Sequence, residues 1–573
     1  MPAQADNRES PNGGSRRHDL DALRAFAMLL GIALHAALSF VRFPWMVQDT
    51  RQHDGFGLLF LAVHGFRMPL FFLLSGFFTA MLWRRRGLRS LLGQRFRRIV
   101  LPLGLCMVTI VPATSVVSGM AIMSASKSAA RGDSAARSAG PDADIWAAAQ
   151  RGDAEAVAAQ LDGGADVDGR HPDSGSTPLV IAALFDQTDV VDLLLRRGAD
   201  VDARGGDGGT ALHAAAFLGH YGSARLLIAA GADTETRNAT GATPGEALLA
   251  TWEVTEYIAG LLQMQLDKEK VLAGRKEVAA LLAEQAGPAS DGSVPPTASA
   301  PRRPGRWRGL AQWLTGPSVF HHLWFLWFLC WLVPGFAAYA VVADRLGWRG
   351  APSWLAVSPL RLLWLIPLTT AAQWHMAQTF GAFGPDTSSG LLPMPAVLAY
   401  YAIFFGFGAL YYDARDDDGR LGRWWWLSLP AALLVALPLG LAFAMGEVEA
   451  LGKIATPGPR RAIGSALQVT YAWLMTFGLM GLCRAAFSEE RAWLRYVSDS
   501  SYWLYIAHLP LIIWGQMIVR DWPAPAFVKF TLVCGIVSGV LLLSYHTVVR
   551  YTPLGTLLNG PRTRPRRASR SSA

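Results

Sequence analysis

Long apolar stretches alternate with short polar segments along most of the chain. A helix needs roughly 20 predominantly apolar residues to cross the hydrocarbon core of a bilayer. The hydropathy pattern therefore predicts a polytopic membrane protein of about ten transmembrane helices. The predicted helices cover residues 20–41, 56–82, 99–122, 318–343, 355–375, 394–412, 424–446, 463–483, 500–519 and 524–549.

The segment between the third and fourth predicted helices is different, because it contains an internal repeat. GADV at 164–167 returns at 198–201, and as GADT at 231–234. STPL at 176–179 is followed by GTALH at 209–213. A period of about 33 residues with a TPLH-like helix start resembles ankyrin repeats, in which each unit buries its apolar face against its neighbours.

The predicted fold class is therefore all-α: a membrane domain of about ten helices with an inserted ankyrin-repeat solenoid. Residues rich in Ala, Ser, Pro and Arg flank the insert and are expected to form flexible or polyproline II linkers. In chain order we predict a first membrane part with three spans (1–122), a linker (123–140), the ankyrin domain (141–285), a linker (286–317), a second membrane part with seven spans (318–561) and a basic tail (562–573).

Composition and charge support a membrane protein. Hydrophobic residues make up 52% of the chain and charged residues 17%, whereas about 25% is usual in soluble proteins. Residues 141–285 carry a net charge of −12 and the rest of the chain +21. These values exclude a purely soluble enzyme and an intrinsically disordered chain. The basic residues flank apolar runs, so membrane orientation explains them better than nucleic-acid binding does.

The four cysteines lie in apolar runs and show no paired spacing, which is typical of buried hydrophobic residues and excludes a disulfide scaffold. They are Cys106, Cys330, Cys483 and Cys534. The sequence also contains no metal-ligand spacing, Walker loop or dinucleotide-binding glycine motif. We therefore predict neither a metal site nor a bound cofactor.

An arginine-rich segment predicts how the helices are oriented. The run RRRGLRSLLGQRFRR, between the second and third predicted helices, contains seven arginines. Short loops rich in Lys and Arg stay in the cytoplasm, whereas long segments cross the membrane largely regardless of charge. Alternation from this loop predicts that both termini are cytoplasmic and that the ankyrin insert lies on the opposite side.

Ionisable residues inside predicted spans are the best candidates for chemistry, because burying them in hydrocarbon is costly. Arg24 and His35 lie eleven positions apart on the first span, which places them on one helix face about 16 Å apart. His64 and Arg67 lie within the second span. From the residues alone, either Arg24 reaches the interface and His35 makes a structural hydrogen bond, or both face a reaction cavity.

The order of these motifs resembles that of the acyltransferase 3 family of integral membrane acyltransferases. The Arg and His separated by ten residues are followed by FRMPLFFLLSGFF, QRFRRIVLP, HLWFLWFLCWL and SYWLYIAHLP. Within the family, FGPDTSSGLLP at 383–393 and YTPLGTLLNG at 551–560 look most similar to the glucan biosynthesis protein C group. The ankyrin insert departs from that group and puts the substrate in doubt more than the chemistry.

The resemblance implies that an acyl group moves from a cytoplasmic acyl-CoA to a sugar hydroxyl on the other side of the membrane. His35 and Arg24 are then the catalytic residues, with His35 as general base or acyl carrier. Arg24 suits a CoA phosphate or the oxyanion. Arg67 is assigned to the distal carboxylate of a succinyl donor. Arg95 and Arg98 either bind CoA phosphates or serve membrane orientation alone.

Four further residues are candidates for the acceptor side or for a second proton carrier: His322, Trp324, Asp386 and His508. Each has a structural alternative. His322, beside Trp324, fits an interfacial aromatic belt, Asp386 fits an ordinary turn, and His508 fits a structural hydrogen bond. The sequence leaves these pairs of interpretations open.

Together these observations predict a membrane O-acyltransferase, with succinyl-CoA as the favoured co-substrate and a periplasmic glucan as the favoured acceptor. The alternative within the enzyme class is O-acetyl transfer to another cell-surface glycan. A secondary transporter predicts inverted repeats, which the sequence does not show, and a scaffold leaves the intramembrane His and Arg residues without a role.

The predicted location is a bacterial inner membrane with a periplasmic ankyrin insert. The predicted partners are the bilayer, the glycan and a protein bound by the repeats, without nucleic acid.

Overall fold

The computed structural model divides into two compact units. The membrane unit comprises Met1–Ile122 and Trp307–Ala573, and the repeat unit comprises Met123–Arg306. All regular secondary structure in the described residues is helical. The structure describes residues 17–41, 45–136, 144–171, 174–206, 208–238, 242–250, 252–261, 264, 266–285, 319–348, 350, 352–376, 383–445 and 457–560.

Four α-helices lie in the described residues between 17 and 136. They are α1 (His18–Ala37), α2 (Asp54–Arg95), α3 (Leu101–Val108) and α4 (Ile110–Ala136). A π-helical turn at Phe96–Val100 joins α2 to α3. Helical structure therefore extends from Asp54 to Val108, with one break inside α2 at Gly87.

The arginine-rich segment that the sequence predicted as a loop is helical, so that prediction was wrong. Arg and Leu are good helix formers, and the helix direction changes only at Gly87, where φ is +75°. Glycine adopts this conformation without a steric penalty. After the break the chain turns back towards α2, and the Arg95 guanidinium donates a hydrogen bond to Thr79 Oγ1 at 2.8 Å.

The expected linkers differ in outcome. Helix α4 continues to Ala136, so most of the segment 123–140 is helical rather than flexible or polyproline-like. Its alanine-rich sequence without proline has high helix propensity. The predicted linker at 286–317 and the predicted basic tail at 562–573 lie outside the described residues.

The repeat unit is built from short paired helices whose starts follow the repeated motifs. Thr177 caps one first helix through the backbone N–H of Val180, and Thr210 forms a capping box with His213. Threonine is a favoured N-cap because its hydroxyl accepts from an otherwise unpaired N–H. The helices are α5 (Ile145–Arg151), α6 (Ala154–Asp162), α7 (Pro178–Leu184), α8 (Thr188–Arg196), α9 (Ala211–Leu218), α10 (Tyr221–Ala229), α11 (Pro244–Ala247), α12 (Trp252–Leu261) and α13 (Lys268–Gln285).

Helix α13 packs closely on the preceding helices of the repeat unit. A Cβ on Gly274 would lie 2.0 Å from the Gly219 carbonyl oxygen, so this contact requires glycine. Arg275 is buried there and donates to the carbonyls of Phe217 and Ala250. The solenoid therefore ends in a fixed helix rather than in an open apolar face.

In the described residues after 318, the membrane unit contains ten further helices. They are α14 (Trp324–Arg345), α15 (Ser353–Val357), α16 (Arg361–Met376), α17 (Pro395–Asp413), α18 (Trp425–Ala431), α19 (Leu437–Met445), α20 (Pro457–Ala486), α21 (Ala492–Val519), α22 (Ala526–Ser544) and α23 (Pro553–Asn559).

Eight helical segments among the described residues are long and apolar enough to cross a membrane, so the predicted count of ten is not confirmed. The predicted span 99–122 is interrupted at Thr109, between α3 and α4. The predicted span 355–375 contains the 16-residue helix α16. Hydropathy alone did not detect these interruptions, because apolar residues continue through them.

Close helix crossings position the centre of the membrane unit. Helices α2 and α17 approach so closely that a Cβ on Gly76 would lie 1.8 Å from the Phe405 carbonyl oxygen. A Cβ on Gly408 would likewise lie 1.9 Å from the Leu73 carbonyl oxygen. Small residues at such crossings allow backbones to pack in membranes. Helices α1 and α21 also pack along each other, which brings residues of the first and ninth predicted spans together.

Candidate active site

Three histidines from separate parts of the chain meet in the membrane unit. His35 lies near the end of α1, His508 in the middle of α21, and His322 immediately before α14. The rings of His35 and His508 have centroids 5.0 Å apart, and those of His508 and His322 are 5.2 Å apart. The structure thus brings the predicted catalytic histidine together with two predicted acceptor-side histidines.

Hydrogen bonds assign the protons of two of these rings. His508 Nδ1 donates to the Tyr505 carbonyl at 2.7 Å, which leaves His508 Nε2 as an acceptor. That atom lies 3.3 Å from His35 Nδ1, which also donates to the Gly31 carbonyl at 2.8 Å. In a neutral ring with its proton on Nδ1, the lone pair of His35 is on Nε2, which is then the nitrogen available to accept a proton.

His322 is buried and only partly hydrogen bonded. Its Nε2 donates to the Ile506 carbonyl at 2.9 Å, while its Nδ1 is buried without a partner in the described part of the chain. The preceding residue, His321, has a φ of +45°, an unfavourable conformation for a residue other than glycine. Tyr505 further fixes the turn, because its hydroxyl donates to the His322 carbonyl at 2.8 Å.

An arginine-lined cavity of about 230 Å³ lies between the helices next to this cluster. Four of the predicted site residues, Arg24, Arg67, Arg95 and Arg98, line it. The remaining wall is largely apolar and includes Met28, Phe71, Leu74, Phe325, Leu329 and Tyr502. Cationic groups in a partly apolar cavity attract an anionic ligand strongly, because few water molecules screen the charges.

Three of the cavity arginines are held by other groups of the protein. Arg24 donates to Ser498 Oγ at 2.6 Å and pairs with Asp21 at 3.3 Å. Arg98 donates to the Asn559 carbonyl at 3.0 Å. Arg95 is held by Thr79, as described above. These contacts fix the guanidinium groups before any ligand arrives.

Arg67 is different from the other three. Its guanidinium makes no hydrogen bond to the residues that the structure describes, and its Nε is buried there, whereas Arg24, Arg95 and Arg98 are each held through Nη2. The electrostatic neighbours of Arg67 are the phenols of Tyr505 and Tyr401. A Cβ on Gly31 would lie 2.2 Å from Arg67 Nη1, so the guanidinium packs against the backbone to which His35 is bonded. Arg67 therefore connects the cavity to the histidine cluster and carries a positive charge that no described carboxylate balances.

Asp386 lies in the connection between α16 and α17, outside the membrane-spanning helices. Partial burial raises the pKa of its carboxyl to about 6. The Asp386 carbonyl accepts from the Tyr401 hydroxyl at 3.2 Å, and the Tyr401 ring lies 5.2 Å from the ring of Trp324. Trp324 is buried in the helix core, so it does not lie on the surface as an aromatic-belt residue would.

The sequence analysis missed several residues that surround His35. Trp45 has its ring 6.4 Å from that of His35 and donates to Gln516 Oε1 at 2.9 Å. Gln516 in turn donates to the His35 carbonyl at 3.0 Å. A fully buried ion pair between Lys529 and Asp49, at 2.9 Å, holds the connection between α1 and α2, in which Trp45 also lies. An ionisable residue within a predicted span, such as Lys529, could have been recognised from the sequence. Nothing in the sequence distinguishes Trp45 or Gln516 as a neighbour of His35.

The part of the chain that the structure describes contains no group of three or more His, Cys, Asp or Glu side chains arranged to hold a metal ion. The described residues offer an imidazole with an unbonded Nε2, an arginine-lined cavity and a half-buried carboxylate. These groups suit proton transfer and the binding of an anionic donor.

Comparison with known proteins identifies the two units. The family profile of the acyltransferase domain matches residues 17–132 and 279–547, and that of the ankyrin repeats, in three copies, matches residues 145–238. The protein named glucans biosynthesis protein C of Shigella dysenteriae serotype 1 (strain Sd197) is 35% identical over 94 residues. The protein of the same name from Escherichia coli (strain K12) is 34% identical over 94 residues.

Each of these two alignments covers 16% of this chain and 24% of the relative, so the similarity spans about a quarter of the relatives' length. The acyltransferase match is broader and covers more than half of the chain. It includes α1, α2 and α21, which carry His35, Arg67 and His508. This chain is therefore a multi-pass membrane protein that belongs to the acyltransferase 3 family and carries inserted ankyrin repeats.

Proposed function

We propose that this membrane acyltransferase transfers a succinyl group from cytoplasmic succinyl-CoA to a hydroxyl of a periplasmic glucan. One observation carries the proposal: an unbalanced arginine, Arg67, lies between an arginine-lined cavity and a histidine with a free basic nitrogen, His35. The cavity suits the anionic donor and the histidine suits the hydroxyl acceptor.

In this mechanism His35 Nε2 removes the proton from the acceptor hydroxyl as the hydroxyl oxygen attacks the thioester carbonyl carbon. The carbon–sulfur bond then breaks, and the proton passes from His35 to the leaving sulfur, so that an ester and free CoA are formed. His508 Nε2 accepts from His35 Nδ1, which holds the reactive tautomer and stabilises the imidazolium. His508 is thus assigned a supporting role and His322 a place on the acceptor side.

On the donor side, Arg67 binds the distal carboxylate of the succinyl group. A guanidinium recognises a carboxylate through two parallel hydrogen bonds, and a partly buried arginine without a protein partner gains most from such a ligand. Arg24, Arg95 and Arg98 bind CoA phosphates. An acetyl donor has no carboxylate and leaves Arg67 unbalanced, so we favour the succinyl donor.

The acceptor assignment is supported by the relatives, which are named glucans biosynthesis protein C. A glucan presents many equivalent hydroxyls, and Asp386, Trp324 and His322 offer polar and aromatic groups to such a ligand. The repeat unit then binds a protein partner, and its net charge of −12 over residues 141–285 favours a basic one.

A complementation experiment tests the reaction. A strain lacking the gene is complemented with the wild type, His35→Ala or, as a matched control, His546→Ala, whose side chain is exposed. Mass spectrometry of the periplasmic glucans should show the mass increment of one succinyl group with the wild type and His546→Ala, but not with His35→Ala. Unmodified glucans with all three equally expressed proteins would rule out the glucan assignment and favour another glycan.

The proposed location is the bacterial inner membrane, with both termini in the cytoplasm and the repeat unit in the periplasm. Ser174 is exposed in the repeat unit, and Ser174→Cys provides a site for a thiol reagent that does not cross membranes. We expect labelling in intact spheroplasts. Labelling only after lysis would place the repeat unit in the cytoplasm and reverse the orientation.

A further inference from the structure

Three consecutive backbone carbonyls in the connection between α16 and α17 are bound by side chains of three different helices. We call Gly384, Pro385 and Asp386 the clamped segment. Their carbonyl oxygens accept, in order, from Gln373 Nε2 at 3.0 Å, His64 Nε2 at 3.0 Å and the Tyr401 hydroxyl at 3.2 Å. These donors belong to α16, α2 and α17.

A fourth helix holds the beginning of the same segment. The Gly384 N–H donates to Gln468 Oε1 at 2.9 Å, and Gln373 donates to the same oxygen at 3.1 Å. Both glutamines are buried, with exposed fractions of 1% and 7%. Burying amide groups is unfavourable unless they are hydrogen bonded. Gln373 Nε2 and Gln468 Oε1 are bonded, and these bonds hold one particular backbone position, while Gln373 Oε1 has no partner among the described residues.

Residue 384 must also be a glycine for the segment to adopt this conformation. Its φ is +105°, and a Cβ there would lie 2.8 Å from His64 Cδ2. A side chain at residue 384 would be strained and would displace the imidazole of His64. The segment is therefore fixed by its own backbone conformation and by all four surrounding helices.

The carboxylate that this segment carries has no assigned partner. Asp386 is half-buried, and in the described residues its side chain makes no hydrogen bond or ion pair, whereas the buried carboxylate of Asp49 is bound by Lys529. A turn residue does not need such a rigid support. A carboxylate held in place without a protein partner is typical of a ligand-binding group.

The clamped segment is also joined to the histidine cluster. The Ser389 carbonyl accepts from the N–H groups of Val319 at 2.9 Å and Phe320 at 3.0 Å, two residues before His322. The Tyr401 ring that bonds the segment packs against Trp324. These contacts fix Asp386 relative to the side of the cluster that His322 occupies.

We propose that the clamped segment is the acceptor-orienting element of this enzyme, in which the Asp386 carboxylate accepts hydrogen bonds from hydroxyls next to the one that is acylated. The inference rests on the proposed function and specifies its acceptor as a polyhydroxylated ligand that presents neighbouring hydroxyls. His64, Gln373 and Tyr401 are positioning residues that act through the backbone of Asp386.

Steady-state kinetics of the full-length protein in nanodiscs test this assignment, because both faces are then accessible. CoA-thiol release from succinyl-CoA is measured with periplasmic glucan, maltooligosaccharides and cellobiose as acceptors. The variants are Asp386→Asn and, as a matched control, Thr387→Ala, whose side chain is exposed beside Asp386. His64→Phe and Tyr401→Phe remove one donor each and keep an aromatic ring.

We expect Asp386→Asn to raise the acceptor KM about tenfold or more, since hydrogen bonds to charged groups have that strength, while the donor KM stays within a factor of about two. His64→Phe and Tyr401→Phe should each raise the acceptor KM by about threefold. This is less than the full effect of a neutral hydrogen bond, because each residue acts only through the backbone position of Asp386. Thr387→Ala should resemble the wild type.

An acceptor KM that is the same in Asp386→Asn and Thr387→Ala would overturn the inference about the clamped segment and leave the proposed function intact. So would a rise in the donor KM without a rise in the acceptor KM. If only a glycan other than the periplasmic glucan stimulates the wild type, the glucan assignment fails, and the same variants still test the clamped segment with that glycan. If no glycan stimulates the wild type, both proposals are wrong.

Discussion

The two units treat buried histidine and arginine in opposite ways. In the repeat unit, His213 bonds Thr210 through Nδ1 and the Ala242 carbonyl through Nε2 at 2.9 Å. Arg275 donates from Nε to Phe217 at 2.8 Å, from Nη1 to Ala250 at 2.7 Å and from Nη2 to Thr255 at 2.7 Å. In these two side chains every nitrogen has a protein partner.

In the membrane unit, the corresponding side chains keep atoms without a protein partner. His35 uses Nδ1 for both of its bonds, and Arg67 and His322 each have a buried nitrogen without one among the described residues. Buried polar groups without partners destabilise a fold. The comparison teaches that the structural His213 and Arg275 are fully hydrogen bonded, whereas unpartnered nitrogens beside a cavity mark the candidate site. The position beside the cavity is essential to this distinction, because Arg361 also has a buried Nε without a partner among the described residues.

The largest effect is expected for His35→Ala. Loss of a general base typically lowers the rate by about a hundredfold to ten-thousandfold, so kcat for acyl transfer should fall by about a thousandfold. Thiol release by purified, correctly folded protein measures it. Retention of more than about a tenth of the wild-type kcat would show that the free nitrogen of His35 is not the base and would weaken the comparison.

Arg67→Met should have the next largest effect, and a selective one. Loss of a charged hydrogen-bonded pair corresponds to about 1.5–3 kcal/mol, so kcat/KM for succinyl-CoA should fall by about tenfold to a hundredfold. The value for acetyl-CoA should change by less than about threefold. Arg85→Met, at an exposed position, is the control. Equal losses with both donors would contradict carboxylate recognition.

His508→Phe should lower kcat moderately. The variant keeps an aromatic ring but removes the acceptor of His35 Nδ1, and a neutral hydrogen bond is worth about 1 kcal/mol, or roughly fivefold in rate. Because His508 does not touch the acceptor in this mechanism, the acceptor KM should remain the same. A change confined to that KM would instead place His508 at the acceptor.

The acceptor KM should also depend on pH. Burial raises the pKa of Asp386 to about 6, so the carboxyl is protonated and neutral below this value and ionised above it. The ionised form is the stronger acceptor for sugar hydroxyls, and the acceptor KM should therefore fall as the pH rises through about 6. Asp386→Asn should remove this dependence; its persistence would assign the titration to another group.

The smallest effect on activity is expected for His213→Ala in the repeat unit. The variant leaves Thr210 and the Ala242 carbonyl unpaired and should lower the free energy of unfolding of that unit by about 2 kcal/mol. Thermal unfolding followed by circular dichroism measures this change. The rate of acyl transfer should stay at the wild-type value. A parallel loss of activity would show that a fully bonded histidine in the repeat unit also supports the reaction.

Several features were predictable because they depend on local patterns. Apolar length predicted a helical membrane unit, and the repeat period predicted the ankyrin insert, whose Thr177 and Thr210 begin helices as expected. The count of ten spans was not predictable, because interruptions such as the one at Thr109 depend on backbone geometry within a continuous apolar stretch. The helix at the arginine-rich segment was missed, since positive charge indicates orientation and not secondary structure.

The candidate site shows the same division at the level of single residues. The sequence placed Arg24 and His35 on one face of a helix and singled out Arg67, His322, Asp386 and His508 as polar exceptions. It gave no reason to choose Gln516 or Trp45, which are an ordinary amide and an ordinary aromatic residue. Their position beside His35 depends on contacts between residues more than 450 positions apart.

The sequence by itself determined that the chain has a helical membrane unit, where the repeats lie and that Arg24, His35, Arg67 and His508 lie within apolar helices, because hydropathy and helical periodicity act over a few turns of chain. Only the tertiary structure decided which nitrogen of His35 is basic, which arginine lacks a partner and how Asp386 is held. Those properties depend on hydrogen bonds between distant helices, and a buried polar group acquires its chemistry from the partners that the fold gives it or withholds.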